Sequence, residues 1–213
     1  MGSVETVHEL IQPGALARRW LDETSWVDLG RGWVHEPERV QTALTELAQW
    51  RQARLWRYDH WVTEPRLAAS LPPHAHPALL AAHKALRATY RVAFDGPALA
   101  LYRDGRDALG AHRDRELRYT ENTLIAILTF GARRPWVLAP RDRGSGREPV
   151  DLAPGPGDLL VVGGRAQREW LHGVPPAPGV RAPRVSVQWR WTSGTGRPEI
   201  GPGYRAPRRF GSG

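Results

Sequence analysis

Val40, Leu44 and Leu47 recur at helical spacing, while Glu36, Glu38 and Glu46 take other positions, which predicts a helix over Glu36–Trp50. A second apolar stripe, Leu79, Leu80, Ala82, His83 and Leu86, predicts a helix over Pro77–Tyr90, after the break at Pro72-Pro73. A shorter helix is expected over Pro13–Trp20. Arg54–Val62 (RLWRYDHWV) alternates roughly between aromatic and polar positions and reads as a strand or hairpin arm. From Pro97 onward the pattern becomes short strand-like runs between Gly, Pro and charged turns. These runs are Ala98–Arg103, Asn122–Phe130, Pro135–Leu138, Asp158–Val162, Arg168–His172 and Arg184–Trp191. Such spacing predicts a β-sandwich or barrel with the N-terminal helices packed on it.

The chain has 213 residues, enough for one domain with a buried core. The expected organisation is a helical N-terminal part (1–96), a β core (97–192) and a Gly/Pro/Arg-rich flexible tail (193–213). Cysteine is absent, which excludes thiolate metal sites, disulfides and a cysteine nucleophile. Apolar runs such as Leu159–Val162 are too short to span a bilayer as a helix, and the N-terminus lacks a signal-like apolar region, so a cytoplasmic monomer is the expectation. The formal charge of +8 suits an anionic partner, with nucleic acid the commonest. Lys84 is the only lysine, however, and that arginine bias equally fits a compositional origin.

The chemistry concentrates in a few places. In AHRDRE, His112 and Asp114 are two apart, so on a strand both leave from one face. His172 follows in WLHGVP. Two imidazoles and one carboxylate form a facial set that leaves positions open on Fe(II). Read alone, HRDRE is also compatible with a solvated surface turn. In PRVSVQWRW, Arg184, Ser186, Gln188 and Arg190 share one face of a period-two strand, and Val185, Val187, Trp189 and Trp191 share the other. Two arginines on that face suit a dicarboxylate cosubstrate, since guanidinium grips carboxylate in a bidentate way; ordinary exposed arginines on an edge strand are the alternative.

These pieces, taken together, resemble the AlkB family of Fe(II)/2-oxoglutarate dioxygenases. The resemblance rests on Tyr102–Asp107 (YRDGRD), Gly110–Glu116 (GAHRDRE), Ile125–Gly131 (IAILTFG), Gly157–Gly164 (GDLLVVGG), Trp170–Pro175 (WLHGVP) and PRVSVQWR. Pro65-Arg66-Leu67 and Phe94-Asp95 add weaker matches. The resemblance implies a double-stranded β-helix (jelly-roll) core braced by N-terminal helices. It implies that His112, Asp114 and His172 hold Fe(II), and that Arg184 pairs with the distal carboxylate of 2-oxoglutarate. Tyr102, Ser186 and Arg190 would help bind the cosubstrate, and Glu116 would lie near the substrate base. The implied reaction consumes O2 and 2-oxoglutarate, giving succinate and CO2, and hydroxylates an N-methyl group that then leaves as formaldehyde.

Departures from the family pattern bear on the substrate. Ala100 stands where asparagine is usual, and Ser186 replaces an asparagine in the last strand. Between Pro65 and Pro77, where nucleic-acid-acting members often carry an aromatic-rich lid, only a short segment without Trp, Tyr or Phe remains. Tyr58, Trp56 and Trp61 lie nearby and offer faces for base stacking; core packing is the alternative. His74 and His76 read as solvated loop residues, and Trp170 and Trp189 as core beside the metal site. The leading expectation is oxidative dealkylation of nucleobases in DNA or RNA. The alternatives are an oxygenase of proteins or small molecules, and a non-catalytic nucleic-acid-binding jelly roll.

Overall fold

The computed structural model describes residues 10–12, 16–57, 59–195 and 208–210. In chain order its elements are β1 (Ala17–Trp20), β2 (Ser25–Gly30), α1 (Pro37–Leu47), β3 (Arg51–Arg57), β4 (His60–Ser70), α2 (Pro77–Tyr90), β5 (Asp95–Tyr102), β6 (Leu109–His112), β7 (Thr123–Gly131), β8 (Val137–Pro140), β9 (Val150–Asp151), β10 (Leu159–Gly164), α3 (Ala166–Glu169), β11 (Trp170–Val174), β12 (Arg184–Thr192) and β13 (Arg208–Phe210). Nine strands form one sheet in the order β1-β2-β10-β7-β12-β5-β4-β3-β13, and four form a second in the order β6-β11-β8-β9. All pairings within them are antiparallel.

Strand alternation decides what each face of the large sheet does. On β12, Val185, Val187 and Trp189 pack with Leu99 and Leu101 of β5 and Leu128 and Phe130 of β7 against Val40 and Leu44 of α1 and Leu79, Ala82 and Leu86 of α2. On the opposite face, Ala100, Tyr102, Ile125, Ile127, Leu160 and Val162 meet Trp136, Leu138, Trp170 and Val174 beneath the small sheet. That second layer is the jelly-roll interior, and Arg184 and Ser186 of β12 are buried with it.

Both long helices fall where helical spacing predicts them. Proline stands at the first turn of each, where a missing N–H costs nothing. His76 caps α2: its Nδ1 accepts the Ala78 N–H at 3.2 Å. It is therefore a structural cap rather than the solvated loop residue expected from its Pro-rich surroundings. Arg91 closes the same helix in the left-handed conformation, its N–H bonding the Arg87 carbonyl.

Three expectations change. Ala17–Trp20 is an exposed edge strand, not the end of a short helix. It is held by Arg18, whose guanidinium donates twice to buried Asp28 and lies 3.7 Å over the Trp26 ring. Pro65–Ser70 belongs to β4, paired to β5 through Leu67–Ser70, and a 3-10 turn at Pro73–Ala75 leads into α2, so this stretch is sheet and helix lead rather than a lid. Within the predicted Arg168–His172 strand, Arg168 and Glu169 complete α3 instead. Tail residues Arg208–Phe210 pair with Ala53–Leu55 and extend the large sheet by one edge strand.

Candidate metal and cosubstrate site

Two loops deliver the site residues. The turn after β5 is fixed by Arg103, which donates from its backbone and guanidinium to Asp107, and by buried Arg134, which donates to the carbonyls of Asp104, Asp107 and Pro175. Gly105 is required here, because a Cβ would lie 1.7 Å from the Ala177 carbonyl oxygen. β6 then runs beside β11, with His112 opposite His172 in register. A Cβ at Gly173 would sit 2.8 Å from the Leu109 oxygen, so the strands approach closely at that point.

His112 ends β6, and Asp114 lies beyond it, at the head of a turn in which Leu117 and Arg118 donate to the Asp114 carbonyl. The turn, rather than strand periodicity, brings the pair together. Asp114 Oδ1 is 3.4 Å from His112 Nε2 and 3.7 Å from His172 Nε2, and ligand atoms of all three residues lie within 4.8 Å of one another. His112 Nδ1 is 2.9 Å from the Gly110 carbonyl, to which it must donate, leaving the Nε2 lone pair turned toward Asp114. Two imidazole nitrogens and a carboxylate oxygen on one side of a pocket suit Fe(II) or Mn(II).

Burial pushes the Asp114 carboxyl up, but its contact with His112 and the Arg190 charge outweigh it and hold the group well below the usual carboxylate range. His172 is pushed down to about 3, chiefly by burial. Near neutral pH Asp114 is therefore ionised and His172 neutral, the charge states that metal ligation requires. Trp136 stacks on His172 with ring centroids 5.6 Å apart. The tryptophan at the metal site is thus Trp136: Trp170 donates its indole N–H to Asp22, and Trp189 packs on the helix side of the sheet.

The cosubstrate residues divide. Arg184 is fully buried and donates from Nη2 to Thr129 Oγ1 at 3.2 Å, while its Nε and Nη1 are buried without a partner. Burial pushes its guanidinium down to about 10. Tyr102 faces Arg184 across β5 and β12, and its hydroxyl accepts from Arg66 at 3.3 Å. The guanidiniums of Arg134, Arg184 and Arg66 lie 5.4, 5.5 and 6.0 Å from its ring. The acidic groups near them are Glu64, 4.0 Å from Arg66, and Asp104 and Asp107 beside Arg134. A cationic pocket with open donors fits a carboxylate. Arg190 does something else: its Nε donates to Asp114 Oδ2 at 2.6 Å and its Nη2 to Gln188, so it fixes a metal ligand. Ser186 lies in register between Ala100 and Thr129, so the two departures from the asparagine pattern are direct neighbours.

The expected substrate residues are not gathered at the triad. Glu116 is exposed in the turn after Asp114. Trp61 pairs edge-to-face with Trp56 on the β3–β4 hairpin, centroids 5.4 Å apart, with Arg54 over its ring. Tyr58 lies outside the described residues. Sequence reasoning gave no role to Arg66, Trp136 or Gln167, whose carboxamide touches both Asp114 and His172. Gln167, a polar residue five positions ahead of His172 in a buried run, carried the only signal.

The family model for the 2OG-Fe(II) oxygenase superfamily matches residues 13–190. The bovine protein named alpha-ketoglutarate-dependent dioxygenase alkB homolog 3 is 29% identical over 162 residues, covering 72% of this chain and 57% of that protein. Bovine DNA oxidative demethylase ALKBH2 is 35% identical over 95 residues, covering 42% and 34%. The chain thus spans under two thirds of the length of these relatives. A prolyl hydroxylase from Trichoplax adhaerens, solved with a hypoxia inducible factor peptide, shares the fold at a TM-score of 0.59 and 11% identity, covering 78% of this chain and 83% of that one.

Proposed function

The chain belongs to the 2OG-Fe(II) oxygenase superfamily, and from that premise we propose that it removes alkyl groups oxidatively from N-alkylated nucleobases in DNA or RNA. The observation that carries the reading is the His112/Asp114/His172 set together with the buried, unpartnered nitrogens of Arg184, with Arg66 close enough to act electrostatically on both His172 and Arg184. Fe(II) held there supplies the oxidising chemistry, in which O2 and 2-oxoglutarate yield succinate, CO2 and a hydroxylated alkyl group that leaves as an aldehyde.

Each side chain has a definable part. His112 and His172 would offer Nε2 and Asp114 would offer Oδ1 to the ion, while Arg190 restrains the other Asp114 oxygen. Arg184, whose Nε and Nη1 are buried without a partner, would take the distal carboxylate of the cosubstrate, with Tyr102 opposite it in register. Ser186 lines the same face, one strand pair further along. Burial of Arg184 keeps water from competing for those donors.

Three features support nucleic acid as the substrate. The net charge of +8 draws polyanions. The relative named a DNA oxidative demethylase shares 35% identity over a matched stretch of 95 residues. The hairpin carries Arg54, half-exposed Trp56 and Trp61 together, the combination of cation and aromatic face on which bases stack.

The test is succinate release by the Fe(II)-loaded protein with 2-oxoglutarate and O2, with and without methylated single-stranded DNA or RNA, beside Asp114→Ala. Succinate that rises with methylated nucleic acid and is lost in the variant is the expected result. Metal-dependent succinate indifferent to both would move the substrate to a protein or small molecule. No succinate from protein shown to bind Mn(II) and 2-oxoglutarate would end the enzymatic reading.

A further inference from the structure

Gln167 comes from the single-turn helix α3, directly ahead of β11, and is 2% exposed. Its carboxamide stands between two triad members delivered by different elements. Oε1 accepts the Asp114 backbone N–H at 2.9 Å, and Nε2 lies 3.3 Å from His172 Nδ1. A neutral imidazole holds one proton, and its position follows from what each nitrogen faces. With an amide NH2 at Nδ1, that nitrogen accepts and the proton sits on Nε2, 3.7 Å from Asp114 Oδ1. Ligation beside Asp114 and His112 needs Nε2 as a bare lone pair. The proton must then be on Nδ1, and Gln167 must face it with oxygen.

We propose that Gln167 is a positioning residue for the metal centre, its carboxamide switching His172 between a tautomer protonated on Nε2 and the ligating tautomer protonated on Nδ1. The inference rests on the metal-centre part of the function proposed above. As the metal arrives, the Nε2 proton leaves to solvent and Nδ1 takes one up, so the ring stays neutral and no net proton is released by it. The carboxamide turns its oxygen to Nδ1. Its NH2 then faces the Asp114 N–H, and that one hydrogen bond is given up.

Two substitutions read this with opposite signs. Glutamate offers two acceptor oxygens, one for Asp114 N–H and one for His172 Nδ1–H, so nothing need turn. Gln167→Glu is expected to bind Mn(II) about tenfold more tightly than the unmodified chain, and Gln167→Leu about ten- to a hundredfold more weakly. Mn(II) titration followed by electron paramagnetic resonance gives the affinities. Side-chain 15N shifts of His172, before and after Zn(II) is added, report where the proton sits. The expected shift is from Nε2–H to Nδ1–H. Gln167→Glu binding no more tightly than the unmodified chain, or Nδ1–H before any metal is added, would overturn the proposal whatever Gln167→Leu does. Failure of the unmodified chain to bind Mn(II) would remove the metal-centre reading itself, and the proposal with it.

Discussion

Arg184 is a charged group that the fold alone leaves badly served. It is fully buried, one nitrogen reaches Thr129, and two reach nothing. An uncompensated buried cation destabilises a protein, and replacing such groups with well-packed apolar side chains is commonly neutral or stabilising by about 1–4 kcal/mol. Arg184→Met should therefore raise the melting temperature of the ligand-free protein by several degrees, at roughly 2–4 °C per kcal/mol for a chain of this size. The same substitution removes a bidentate, charge-assisted grip on the cosubstrate, so the rise in melting temperature on adding 2-oxoglutarate should vanish. Differential scanning fluorimetry with and without 2-oxoglutarate decides it: a variant that melts lower, yet is still stabilised by 2-oxoglutarate, contradicts this account. At this scale the sequence spoke unevenly. The ordered motifs of the family resemblance, more than spacing, marked His112, Asp114, His172 and Arg184, because HRDRE and the β12 arginines each also had a plain surface reading. Arg190 was legible as a site residue but not in its contact, since only the folded register shows its guanidinium on Asp114. Trp136 and Gln167 act through stacking and a carboxamide bridge, which leave no spacing of their own.

Elements whose hydrophobic period is unambiguous were legible, and those held by polar contacts were not. α1 buries Val40 and Leu44, α2 buries Leu79, Ala82 and Leu86, and both begin with proline. β2 carries a buried aspartate in its middle, and β1 is exposed along its whole length, so neither presents an alternating pattern. What makes them strands is the Asp28 cluster, where Arg18 donates twice and Tyr90 of α2 donates through its hydroxyl at 2.8 Å. The His76 cap shows how a residue of bland appearance can govern an element. Its Nδ1 accepts an amide proton at the start of α2, and burial lowers its pKa from the ordinary value of 6.5. The unfolded chain therefore binds this proton more readily than the folded one. The stabilisation is complete above pH 6.5 and is lost as pH falls below it, where protonation also removes the acceptor and sets a positive charge at the helix N-terminus. His83 is depressed in the same sense, so the informative quantity is a difference between variants. His76→Asn keeps a capping oxygen that does not titrate, and should flatten the fall in urea midpoint between pH 8 and pH 5.5. His76→Ala should cost about 1 kcal/mol at pH 8. An unchanged pH slope in His76→Asn would show that the cap does not titrate with the fold.

At the scale of the whole molecule, the jelly-roll interior and the metal set follow from the β-rich half of the chain, while the substrate depends on surfaces that no core pattern specifies. The site lies in the layer between the two sheets, and the hairpin β3–β4 sits at the far end of the large sheet, beyond β5. The stretch read as a shortened lid is in part a strand of that sheet, which leaves Arg54, Trp56 and Trp61 as the surface that would meet a nucleic-acid strand. A net charge of +8 is a property of the entire chain, and its consequence is measurable without knowing the modified base. Phosphate contacts release counterions, so the logarithm of affinity for single-stranded nucleic acid falls with the logarithm of salt at about −0.7 per contact. With about five contacts, raising salt from 50 to 200 mM should weaken binding about a hundredfold. Arg54→Ala should lower the slope by roughly one contact, whereas Trp56→Ala should weaken binding by about 1–3 kcal/mol at every salt concentration and leave the slope intact. Both variants should retain succinate release in the absence of nucleic acid, because neither residue touches the metal set. Fluorescence anisotropy of a labelled oligonucleotide across a salt series separates the two effects. A slope near zero in the unmodified chain would mean that its arginines do not track phosphates, and the oxygenase would then have to find its substrate among uncharged partners.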